Sequence, residues 1–188
     1  MKRYLVCTFA LACLTAGLPS RSAAHDLEAN RASVVLRDNS HLSLSLRIDY
    51  VRFLQQSFAP KATQAQALLE LASMSERDFE AVYQKAQRVL MEQTILTIGT
   101  AKTLQLNHWR HPKAQQIQQS IRELSAQLIV APSEHIHSEF FEVLADTYNT
   151  EDISECSLKL PSSLGNVLVV HYRAQQQWNE QTAVKLKF

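Results

Sequence analysis

His41-Leu42-Ser43-Leu44-Ser45-Leu46-Arg47-Ile48-Asp49 alternates leucine or isoleucine with polar residues along its whole length. Successive strand side chains point to opposite faces, so this period of two marks a half-buried β-strand and excludes a helix. Upstream, Val34 to Leu36 and the turn Asp38-Asn39-Ser40 complete a β-hairpin. Downstream the period changes. From Tyr50 to Gln93 the pattern is helical: Ser75 with Asp78 predicts a capping box, and Phe79, Val82, Tyr83, Ala86, Val89 and Leu90 follow at helical spacing.

Working outward, Thr94 to Ile98 and Thr103 to Trp109 suggest a second hairpin around Gly99-Thr100-Ala101-Lys102. Pro112 opens another helix, with Ile117, Ile121, Leu124 and Leu128 as one apolar stripe. Strands return at Phe140 to Tyr148, Ser157 to Leu160, Asn166 to Arg173 and Ala183 to Phe188. Val167 to Tyr172 is apolar enough to be read as buried on both faces. Strands framing two helical insertions predict an α+β fold, an antiparallel β-sandwich-like sheet with the helices packed on one side. Leu44, Leu46, Phe79, Val82, Val169 and Val170 are the expected core. An all-β sandwich with a helical insertion is the near alternative.

The first residues read as an export signal. Lys2 and Arg3 precede an apolar run from Tyr4 to Leu18, and Ser22-Ala23-Ala24 supplies the small-x-small cleavage pattern. The expected division is a signal peptide over 1–24 and one exported domain over 25–188, periplasmic or secreted. A cut after Gly17, or lipidation at Cys13, is the alternative. Removing 1–24 leaves 16 basic against 18 acidic residues, a net of −2, which argues against a nucleic-acid binder. Three glycines leave no room for a Gly-rich phosphate loop. Cys7 and Cys13 depart with the signal, so Cys156 stands alone and is expected as a buried thiol. No second apolar run of about 20 residues exists, so no transmembrane segment is expected in the processed chain.

Cleavage after Ala24 makes His25 the first residue. A terminal histidine offers its α-amine and its imidazole to one metal ion, a nitrogen pair that suits Cu(II) best, with zinc or nickel behind. His135-Ile136-His137 supplies two more imidazoles: on a strand, i and i+2 share a face about 7 Å apart. Glu134 and Glu139 flank the pair as hydrogen-bonding partners of the imidazoles or as a carboxylate ligand.

Through His25, His135 and His137 the chain resembles the histidine-brace copper proteins, and among them the periplasmic copper-binding subunit of particulate methane monooxygenase. The resemblance implies a copper site made by the mature amino terminus and a His-x-His pair about a hundred residues on. The Gly- and aromatic-rich surfaces of polysaccharide monooxygenases are missing, so metal binding is expected rather than catalysis. A metal-free envelope interaction module, with a protein partner, is the competing expectation, and a copper-dependent oxidoreductase the third. Other histidines carry less: His108-Trp109-Arg110-His111 reads as a solvated turn beside an anchoring Trp, and His41 and His171 as strand residues. Glu142 and Asp146 share one strand face and read as solvated carboxylates.

Overall fold

The computed structural model describes residues 29–99, 102–130 and 139–174. Strand β1 (Asn30–Arg37) turns through Asp38 and Asn39 into β2 (His41–Asp49). Both turn residues have positive φ, +47° and +57°, a conformation that Asp and Asn tolerate better than other non-glycine residues. The turn is then tied down by the Ser40 amide, which donates to the Arg37 carbonyl at 3.2 Å, and by the Ile153 amide, which donates to that of Asn39 at 2.7 Å. Leu42, Leu44, Leu46 and Ile48 are all buried, so the period-two reading holds along the whole strand.

β2 runs straight into helix α1 (Tyr50–Phe58), because the Asp49 carboxylate accepts the Arg52 amide at 3.1 Å and caps the first turn. The helical stretch is three helices, broken at Pro60 and at Met74: α1, α2 (Gln64–Ser73) and α3 (Glu76–Gln93). Ser75 caps α3, but Asp78 returns its carboxylate to the Ser75 hydroxyl and not to the backbone. The reciprocal capping box sits at Thr63 and Gln66, at the start of α2. α3 buries Phe79, Tyr83, Ala86 and Leu90, with Val82 and Val89 half-buried against the same cluster.

Next come β3 (Ile95–Ile98), β4 (Lys102–Leu104), β5 (Asn107–Arg110), α4 (Ala114–Val130), β6 (Phe140–Tyr148), β7 (Cys156–Lys159), a 3-10 turn (Ser162–Leu164) and β8 (Val167–Arg173). The expected second hairpin is only half correct. β4 pairs with β3, but β5 crosses to the other sheet and pairs with β6. Helix α4 buries Ile117, Ile121 and Leu124, and its Gln118 amide donates to the Met74 carbonyl at 3.0 Å, closing the end of α2.

The fold is α+β, with sheets ordered β5-β6-β2-β1-β8 and β4-β3-β7. β1 pairs with β8 in parallel, so the larger sheet is mixed and not antiparallel throughout. One apolar cluster joins β1 and β2 to all four helices and to Leu96 and Leu104 of the smaller sheet. Of the expected core, Leu44, Leu46 and Phe79 are buried. Val169 is not: it is 48% exposed, and Val170 is half-buried. Among the described residues β8 has a neighbour on one side only, and neither of its faces is fully buried. The strand expected at Ala183 to Phe188 lies outside the described residues. No helix among the described residues is long and apolar enough to cross a membrane.

Candidate functional site

His25, His135 and His137, with the cleavage site at Ala24, lie outside the described residues. The points at which their segments join the fold are described. β1 and β6 both run antiparallel to β2, one on each side of it, so both begin at the same end of the sheet. At that end Asp49 stands between them: its amide donates to the Asn30 side-chain carbonyl at 2.8 Å, and Phe140 is its register partner on β6. Two strand spacings, about 10 Å, therefore separate the starts of β1 and β6.

A cleft of about 440 Å³ opens at this end, lined by Ala29, Asn30, Asp49, Arg52 and Phe140 and by the turn from Ser162 to Asn166. Asn30 is buried and organises it. Its amide donates to the Leu164 carbonyl at 2.6 Å while its carbonyl receives Asp49, so β1, β2 and the turn before β8 meet on one side chain. Gly165 has φ +65°, which lets the chain turn out of the 3-10 segment and into β8.

His108 to Arg110 lie in strand β5, with His111 just beyond its end, and do not form a solvated turn. His108 has φ +49° at a break in the β5–β6 register, and this bulge directs its ring outward. Its Nδ1 lies 2.7 Å from Asp146 Oδ1, on the face where Glu142 accepts the Ser45 hydroxyl at 2.6 Å. The two carboxylates do share a face as the sequence indicates, but each has a partner. Trp109 turns the other way; its indole N–H donates to the Leu106 carbonyl, and its ring stacks on His111 with centroids 5.8 Å apart. Burial pushes the His111 imidazole below its ordinary pKa, and neither ring nitrogen has a hydrogen-bond partner. His108 thus pairs with Asp146 at the surface, whereas His111 is partly buried against Trp109. No group of three or more His, Cys, Asp or Glu among the described residues could hold a metal.

Cys156 is exposed on β7, contrary to the expected buried thiol. β7 joins the smaller sheet through β3 alone among the described residues, which leaves its first residue at the surface. Partial desolvation, and then the Glu155 carboxylate beside it, push the thiol pKa up, away from the range of reactive thiols. The His108–Asp146 pair is the feature that sequence reasoning missed. It depends on β5 changing sheets, and nothing local in the sequence signals that change.

No protein family, curated protein or solved structure matches this chain. The functional reading rests on its own residues and geometry.

Proposed function

We propose that this chain is an exported copper-binding protein, processed between Ala24 and His25, whose ion is held by the His25 α-amine and imidazole together with His135 and His137. The observation that carries this reading is the common starting end of β1 and β6. His25 is four residues before Ala29 and His137 three before Phe140. Extended chain covers up to about 3.5 Å per residue, so the two segments reach about 14 and 10 Å, and together they exceed the gap of about 10 Å between their strands. The site is thus sterically accessible to both halves of the ligand set, and nitrogen donors of this kind favour Cu(II) over zinc or nickel.

In the same reading the three-stranded sheet is the second layer of a sandwich-like body, since Leu96, Leu104 and Leu158 pack against the cluster beneath β1 and β2. The natural destination of such an export signal is the periplasm or the medium. Binding, and not turnover, is the activity proposed.

The test is a calorimetric Cu(II) titration of protein whose first residue is His25. One ion per chain, lost in His135→Ala and His137→Ala, is expected. Absence of stoichiometric binding by correctly processed protein overturns the reading.

A further inference from the structure

β8 is an outer edge of the five-stranded sheet among the described residues, and β7 an edge of the three-stranded sheet. Both edges border an apolar cleft of about 410 Å³, with Val34, Leu42 and Ile153 buried at its base and Leu158 and Val169 on its walls. Leu168, Val169 and Tyr172 of β8 are 38%, 48% and 55% exposed. β8 carries no lysine or proline, and its register against β1 runs without a bulge from Val167 to Arg173. Natural sheets blunt such edges with those devices or cover them.

We propose that the cover is the chain's own segment Ala183–Phe188, added antiparallel to the free edge of β8. Ala183-Val184-Lys185-Leu186-Lys187-Phe188 alternates, so as a strand it puts Val184, Leu186 and Phe188 on one face and both lysines on the other. The apolar face suits the cleft. The lysines supply to the new edge the protection that β8 lacks. The chain leaves β8 in register, the Ala174 amide donating to the Leu36 carbonyl at 2.8 Å. An antiparallel neighbour begins beside the end of β8, one strand spacing of about 5 Å away, and the eight residues 175–182 are ample to close that gap as a hairpin connection. A tethered strand acts at an effective concentration in the millimolar range, which favours it over a second copy or a foreign strand.

Amide hydrogen exchange followed by NMR on the full chain tests this. The β8 amides directed away from β1 are expected to be protected, to exchange about 100-fold faster in Leu186→Glu, and to be unchanged in Lys185→Glu. Unchanged protection over Leu42–Ile48 in Leu186→Glu verifies that the domain stays folded. Rapid exchange of the edge amides in the unsubstituted chain overturns the proposal, as does protection that survives Leu186→Glu. Protection that disappears on dilution, with a dimer's mass in the concentrated sample, assigns the edge to a second copy and also overturns it.

Discussion

Asn30 Oδ1 accepts the Asp49 amide at 2.8 Å, tying the first residue of β1 to the last residue of β2. The same side chain donates to Leu164 through its amide, so one buried residue fixes the sheet end where the two candidate ligand segments enter.

Asn30→Ala removes both partners at once and leaves the Asp49 amide and Leu164 carbonyl unsatisfied. A loss of about 2–6 kcal/mol is expected, at about 1–3 kcal/mol per buried group orphaned. Urea unfolding measures it, and a loss below about 0.5 kcal/mol would remove Asn30 from this role.

Leu46 is 1% exposed at the centre of the core, whereas Leu168 is 38% exposed on the outer face of β8. Leu46→Ala is expected to cost about 2–5 kcal/mol and Leu168→Ala less than about 1. Equal costs at the two sites would show that the outer face of β8 is buried after all.

His111 gives the fold an acid limit. Its folded pKa lies below the ordinary 6.5 because burial disfavours the imidazolium. The unfolded chain therefore binds the proton more tightly. The stability that goes with a neutral His111 is fully present above about pH 6.5 and is lost as pH falls from there through the lowered folded value. His111→Phe keeps a ring against Trp109 and should flatten the stability profile in that window. Melting temperatures of both proteins between pH 5 and pH 7 decide the matter; parallel curves would exonerate His111.

In the proposed site, copper binding by the processed chain would depend on a free amine. One added amino-terminal methionine should weaken Cu(II) binding as much as His25→Ala, by about tenfold or more. Affinity should also fall as pH drops through the imidazole range near 6.5, since protons compete for the ligands. His108→Ala and His111→Ala should change little. Equal copper affinity in tagged and untagged protein would reduce the site to a surface histidine cluster.

Much of the fold was legible because it is written in local periodicity. The alternation from His41 to Asp49, the stripe Ile117, Ile121 and Leu124, and the limits of the strand Phe140–Tyr148 all appear in the structure as read. Val167 to Tyr172 was misread because an apolar run looks the same whether neighbouring elements bury both faces or leave them partly open. The candidate copper ligands are legible only as residue types; their reach toward one another depends on which strands lie side by side.

The sequence by itself determined the half-buried hairpin, the helical insertions and the α+β class, since each follows from side-chain spacing and capping within a few residues. It also set the chemistry available: a histidine poised behind a small-residue cleavage pattern, and a His-x-His pair. Only the tertiary structure decided that β1 and β6 start at one end of the sheet, that β5 leaves β4 for β6, and that His108 meets Asp146. These are pairings across long stretches of chain. They are selected by how completely the whole core can be buried, a quantity that no local stretch encodes.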